Sequence, residues 1–543
     1  MTIKRVVLAL LTIFALFQIG SSLNNSFSQP QIAGRLELYQ TNLMLHVAEF
    51  KSNPTDDFDV KSLGGQRFAL KDTPSDKETS KLRPLNSAAN SLIGEDPYSA
   101  ASKKYQQVRE QSLVSLDNFK SQLQQVNKSQ TDLELNNNSQ VNIAKKSQLT
   151  AQIAELKQFI NEIDLKRGIL TAVQGKSEEA IAIWQSEIDR IGNTENSYAQ
   201  TATLLQQLWQ DKTQNLTTDT VTLIKSNLDS WFRYQTLARY NEVNNLTEDL
   251  ALLQEQELQV ATSSVLKLAI ISALPFFGLI FGTILLIFIA IQRLVKKENS
   301  LLATNAGNNW ETPWDWEITW QVLIVGFFFI TQFVIPLLLG IFNINPVNSS
   351  LRVKSFYVLG TYLAMATGGI SVLYLSIKSF FPLPKDWFEF KLLDNWLAWG
   401  IGGYLAAIPL VLLVSVINQQ IWQGQGGSNP LLLLALQAQD KIVLLIFFVT
   451  SSIAAPIFEE IMFRGFLLPS LTRYVSVTNA IIISGFIFAV AHLSLSEVLP
   501  LATLGIVLGF VYTRSRNLLA PMLVHCLWNS GTLISLFVLG SGV

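Results

Sequence analysis

The chain has 543 residues, 15% of them charged and 49% hydrophobic, with a formal net charge of −1, three His and one Cys. Near-neutral charge provides no electrostatic footprint for DNA or RNA, so no nucleic-acid partner is expected, and one cysteine makes neither an intrachain disulfide nor a Cys-rich zinc site. The charged fraction lies well below the ~25% of ordinary soluble proteins, and the deficit is concentrated in the C-terminal half.

Lys4 and Arg5 precede an uncharged apolar run from Val6 to Gly20. A positive n-region followed by an apolar h-region marks a signal peptide or anchor. No clear A-x-A cleavage site follows, so residues 1–23 are expected to form an uncleaved signal anchor and the next segment to lie outside the cytoplasm.

Residues 24–262 are polar, with apolar positions at helical spacing. Leu116, Phe119, Leu123 and Val126 make one stripe, and Leu149, Ile153, Leu156, Ile160 and Ile163 make another, with a linker-like ELNNNSQ between them. An extracytoplasmic α-helical domain is expected. Within it, Gly168, Ala180 and Trp184 occupy the small and aromatic positions of a tetratricopeptide-like hairpin, and WFRYQTLARY from Trp231 is a related cue. No clean 34-residue period joins them, so a generic bundle or short coiled coil remains equally open. N-x-S/T sequons such as that at Asn215 carry no structural weight without a secretory context.

After Ser263 the composition turns apolar. Candidate spans are Leu268–Ile291, Ile318–Phe342, Phe356–Ile377, Trp396–Ile417, Ile442–Ile461, Asn479–Leu495, Val498–Thr513 and Leu519–Leu539, nine with the N-terminal anchor. Each approaches the ~20 residues a bilayer core requires. The expected fold is all-α: a polytopic membrane bundle with residues 263–430 of unassigned role and 431–543 carrying the chemistry. Basic residues orient it. Lys4 and Arg5, then Arg293, Lys296 and Lys297, then Lys385 and Lys391, Arg473, and Arg514 and Arg516 fall on the cytoplasmic side, while Arg352 and Lys354 are exceptions. Trp310, Trp314, Trp316 and Trp320 are expected as an interfacial belt.

Beyond Lys441 charges are few. Glu459 and Glu460 sit in an apolar run, where an ionised side chain costs ~2.5–3.5 kcal/mol even on the lenient insertion scale, so they require partners. Glu460 and Arg464 are four apart and share a helix face; Glu459 is turned about 100° away and free for chemistry. Two of the three histidines, His492 and His525, fall in the same region, with Asn529 four residues after His525. These groups could assemble one buried polar site supplying a base and oxyanion donors. If the His492 helix begins near Thr478 that residue lies roughly 21 Å along it, against roughly 9 Å for His525; a start near Ser484 removes most of the mismatch. Glu497 is expected as a loop charge and Phe488 as packing. Cys526 is not expected to act as a nucleophile.

The motifs EExxxR (Glu459, Glu460, Arg464), FxxxH (Phe488, His492) and HxxxN (His525, Asn529), in this order and in apolar context, resemble the CAAX prenyl protease type II family, also called the CPBP or Abi family of intramembrane proteases. The resemblance covers roughly Leu431 to Val543. It implies an endopeptidase in which Glu459 and His492 activate water, Glu460 and Arg464 hold the carboxylate in place, and His525 and Asn529 support the oxyanion. It also implies a membrane-associated protein or peptide as substrate and location in a membrane, expected here to be a bacterial cell membrane. No cofactor is certain. Zn²⁺ is an open alternative, but without an HExxH the expectation leans to a metal-independent step. Two other readings stand beside it: a catalytically unused scaffold or bacteriocin-immunity-type protein recruiting a partner through residues 24–262, and a transporter using intramembrane Glu and His as proton carriers.

Overall fold

The computed structural model describes residues 2–540 apart from 53–91, 132–138, 194, 211–217, 343, 345, 347, 348 and 439. Most of the ELNNNSQ linker and the sequon at Asn215 lie outside the described residues. Every named secondary-structure element among those described is helical. The chain divides into two units, one comprising Met1–Ile32 and Ala273–Ser541, the other Ala33–Ser272.

The Ala33–Ser272 unit contains α2 (Ala33–Ser52), α3 (Pro97–Thr131), α4 (Ser139–Val173), α5 (Ser177–Ile191), α6 (Ser197–Trp209), α7 (Thr218–Asn227), α8 (Ser230–Val243) and the start of α9 (Thr247–Lys296). The two predicted stripes meet: Leu116, Phe119 and Val126 of α3 pack with Leu149, Leu156 and Ile160 of α4. The Gly168–Trp184 hairpin also forms. A Cβ on Gly168 would stand 2.1 Å from Trp184 Nε1, so only glycine admits the indole, whose N–H donates to the Leu165 carbonyl at 3.2 Å. A long hairpin of α3 with α4 and a shorter one of α4 with α5 therefore occur in one unit.

The second unit is built from α1 (Ile3–Ser26), the rest of α9, α10 (Trp316–Ile341), α11 (Leu351–Ile377), α12 (Trp396–Trp422), α13 (Pro430–Gln437), α14 (Lys441–Leu471), α15 (Val477–Val490), α16 (Leu495–Ser515) and α17 (Leu519–Gly540). Eight described helices are long and apolar enough to cross a membrane, and the fold is a polytopic helical membrane bundle. The ninth expected span is the shorter α15, 14 residues long; the span begun at Ile442 instead runs on to Leu471. The polarity changes at 23/24 and 262/263 fall inside α1 and α9, because a helix satisfies its own backbone hydrogen bonds whatever the solvent. In α9, Glu248 and Asp249 at the first turn and Arg293 and Lys296 at the last complement the helix dipole.

The α1 helix is packed into this unit. Lys4 and Arg5 pair with Glu317 at 3.1 and 2.8 Å, and the Trp320 indole donates to Thr12 Oγ1 at 2.8 Å. The expected tryptophan belt is only partly at the surface. Trp310 and Trp314 are buried, stacked on Tyr512 and Phe466, with their N–H groups donating to the Asp386 carbonyl and Ser470 Oγ. Partners for both indole N–H groups remove the reason to sit at a headgroup interface. Trp316 stays exposed. Arg516 lies over the Trp310 ring, 3.4 Å from its centroid, and Arg473 bonds the Thr312 and Trp314 carbonyls. Arg352 pairs with Asp440.

Candidate active site

The α14 helix carries the EExxxR motif and departs from α geometry on both sides of it. Residues Val449–Ala454 and Ile461–Leu467 are π-helical and flank the α turn Ala455–Glu460. Wider π turns change the angular spacing of successive side chains and commonly occur at functional sites. Here they accompany two neighbouring carboxylates with different surroundings.

Glu460 is fully buried. Its Oε1 accepts from Arg464 Nη1 at 2.8 Å and lies 2.8 Å from His525 Nδ1. Arg464, also fully buried, donates through Nη2 to the Gly505 carbonyl of α16 at 3.0 Å and lies over the Phe488 ring, 4.4 Å from its centroid. The pairing that the i,i+4 spacing requires is present, and one guanidinium ties α14, α15 and α16 together. Losing one partner of such a pair typically costs about 3–5 kcal/mol.

Glu459 turns the other way. Its Oε1 accepts from the Tyr362 hydroxyl of α11 at 3.2 Å, while Oε2 is buried without a hydrogen-bond partner and lies 3.9 Å from His525 Nε2. Glu459 and His492 line one cavity of about 120 Å³, together with Tyr362, Thr331, Gln332 and Phe327. This is the shape of a reactive position: one carboxylate is locked into a charge pair and its neighbour faces open volume.

The two histidines meet across Phe488, whose ring centroid lies 4.9 Å from that of His492 and 5.7 Å from that of His525. The α15 helix does not begin near Ser484. Ser476 caps it by accepting from the Asn479 amide, and it starts at Val477. His492 lies just beyond the helix end, its Nδ1 2.9 Å from the Phe488 carbonyl. A carbonyl only accepts, so Nδ1 carries a proton, and Nε2 is the nitrogen whose lone pair a neutral ring would present to the cavity residues.

Asn529 does not point into the group. Its amide donates to the Ser451 carbonyl at 2.7 Å, fastening α17 to the first π segment of α14. Glu497 is not a loop charge: it sits in the first turn of α16 and accepts from the Asn429 amide at 2.8 Å. Tyr362 was missed because it lies on a span with no motif and is one of three phenols on α11, with Tyr357 and Tyr374, which spacing alone does not tell apart. Among the described residues, no three His, Cys, Asp or Glu side chains stand together as a shell for one metal ion. His525 Nδ1 and Glu460 Oε1 are already committed to each other, so the donors as placed do not fit a zinc site.

Fold and site together define a polytopic membrane protein with a buried Glu-Glu-Arg-His group beside a small cavity. Residues 441–531 match the family described as Type II CAAX prenyl endopeptidase Rce1-like. This region, which holds the three motifs, is similar to the CAAX prenyl protease type II, or CPBP, family. Two curated relatives are each similar over a quarter of the chain: "Putative membrane peptidase YdiL" of Bacillus subtilis (strain 168), 27% identical over 136 residues and 54% of its length, and "Membrane-embedded CAAX protease MroQ" of Staphylococcus aureus (strain USA300), 30% identical over 142 residues and 56% of its length. The chain spans about half the length of these relatives. No solved structure matches it.

Proposed function

We propose that the protein is an intramembrane endopeptidase that cleaves a membrane-associated protein or peptide by glutamate-activated water. The observation that carries this is Glu459, which lines the cavity that His492 shares and whose Oε2 has no hydrogen-bond partner, beside the charge network of Glu460, Arg464 and His525.

Water in the cavity gives one proton to Glu459 as its oxygen bonds to the scissile carbonyl carbon. The His492 Nε2 lone pair orients the second O–H. Two carboxylates, one guanidinium and one imidazole sum to zero charge when His525 carries both protons, and its Nε2–H then faces the developing oxyanion. The tetrahedral intermediate collapses with cleavage of the C–N bond, and Glu459 returns its proton to the departing amine. Tyr362 holds the Glu459 carboxylate by its other oxygen, and Asn529 fixes the position of α17. No step requires a metal.

The N-terminus, with Lys4 and Arg5, lies in the cytoplasm of a bacterial cell and residues 24–262 lie outside, where they bind a protein partner. Comparing membrane-fraction proteomes of cells carrying the natural chain or Glu459→Gln tests the activity. A fragment present only with Glu459 names the substrate; identical proteomes with equal expression refute the peptidase.

A further inference from the structure

Three side chains of the Ala33–Ser272 unit, outside the site above, form a linear relay. Glu257 Oε1 lies 2.5 Å from His46 Nδ1, and His46 Nε2 lies 2.8 Å from Ser230 Oγ. His46 on α2 and Glu257 on α9 are buried, at 3% and 6% exposure, whereas Ser230, the first residue of α8, is half-buried. A carboxylate only accepts, so Nδ1 carries a proton, and in the neutral ring Nε2 presents its lone pair to the serine hydroxyl, which donates to it. A base oriented by a carboxylate and bonded to a hydroxyl is the arrangement that activates a serine nucleophile, recognisable by geometry rather than by chain order.

Two features at Ser230 exceed what a structural imidazole requires. Ser230 has φ +50°, the left-handed region that a serine rarely adopts, and such outliers concentrate at functional positions. It also opens a 14-residue helix whose N-cap, Asp229, makes no side-chain capping bond. The Asp229 carboxylate is instead held by Lys166 Nζ at 2.7 Å. The first-turn amides of α8 are thus left uncapped by that side chain, and helix N-terminal amides stabilise developing negative charge.

We infer that Ser230, His46 and Glu257 form a second hydrolytic centre, of the serine-esterase type, acting on carboxylic esters. Esters are favoured over peptides because the described residues of this unit include no strand to align an extended peptide, and an alkoxide leaves more readily than an amine. Ser230 Oγ bonds to the ester carbonyl carbon as its proton passes to His46 Nε2. The C–O bond breaks and the alcohol leaves with that proton. Water then attacks the acyl-serine, giving a proton to His46, which returns it to Ser230 Oγ as the acid departs. The inference is independent of the peptidase proposed for the membrane bundle.

The test uses the full-length protein in detergent with an alkyl fluorophosphonate and p-nitrophenyl butyrate. One phosphonyl group should map to Ser230. Ester hydrolysis should fall at least about 100-fold in Ser230→Ala and in His46→Gln, whereas Ser226→Ala retains both labelling and turnover. Replacing a half-buried hydroxyl leaves the packing in place, so Ser230→Ala is expected to melt with the natural chain. Equal labelling of these two proteins at matched melting temperature, or an adduct mapped to another residue, overturns the inference. Should His46→Gln fail to fold, the site of the adduct on the natural chain decides.

Discussion

Gly485 on α15 and Gly505 on α16 meet backbone to backbone. A Cβ on Gly505 would stand 2.8 Å from the Gly485 Cα, and one on Gly485 would stand 2.9 Å from the Ile506 amide nitrogen. Small residues allow helices this close an approach in membranes. The crossing serves the site because the Gly505 carbonyl accepts from Arg464, while α15 carries Phe488 and leads into His492. Gly505→Ala is expected to lower stability by about 1–3 kcal/mol through overpacking and to reduce cleavage further by moving His492. Thermal melting in detergent and turnover of an identified substrate check both effects.

Adjacent carboxylates should give different phenotypes. Glu459→Gln keeps an oxygen that accepts from Tyr362 and removes only the basic carboxylate, so the protein should fold normally while cleavage falls about 10²–10⁴-fold. Glu460→Ala strands Arg464 as a buried charge and should cost about 3–5 kcal/mol of stability. Replacing both Glu460 and Arg464 with apolar residues should recover much of that loss without restoring cleavage. Equal melting of Glu460→Ala and the natural chain would contradict the pairing.

Tyr362→Phe keeps the edge-on contact with Phe458, 6.2 Å between ring centroids, and removes one donor to Glu459. A hydrogen bond to a charged group contributes about 1.5–3 kcal/mol, so kcat should fall about ten- to a hundredfold. Its KM and melting temperature should change little. A raised KM with unchanged kcat would place Tyr362 in substrate binding instead.

Glu187 contributes to the pH response of the Ala33–Ser272 unit, alongside Glu49 and Glu257, whose carboxyls burial also raises. Burial, reinforced by Asp164, pushes its carboxyl from 4.5 up to about 9, while Arg190 and Arg109 act in the opposite sense. Both arginines are occupied by ion pairs to Asp164. The folded unit keeps the proton that the unfolded chain releases above about pH 4.5. Its stabilising effect is therefore full below that pH and lost progressively as pH rises through about 9. Glu187→Gln should flatten this slope and protect α5 at pH 8. Hydrogen exchange of α5 in the full-length protein across pH 5–9 measures it; an unchanged slope would contradict the assignment.

Much of the bundle was legible because a bilayer imposes a coarse rule: an apolar run of sufficient length must hydrogen-bond to itself, and a helix does so. Composition could not separate α15 from a full span, since its length depends on where Ser476 caps it and where the chain turns at His492. Trp310 and Trp314 misled for a related reason. Their residue type fits a lipid interface, but Ser470 and the Asp386 carbonyl, distant in sequence, supply the partners that draw them inward.

At the site, spacing along one helix was sufficient for Glu460 and Arg464, because i,i+4 geometry is local. Spacing could not reveal that Asn529 faces Ser451, that Tyr362 reaches Glu459, or that His46 joins Ser230 and Glu257 across 184 and 211 residues. Residue type and period established which helices form and which groups are too costly to leave unpaired in an apolar medium. Which partner answers each group depends on helix crossings such as Gly485 with Gly505, whose closeness is set by contacts between segments that no local pattern encodes.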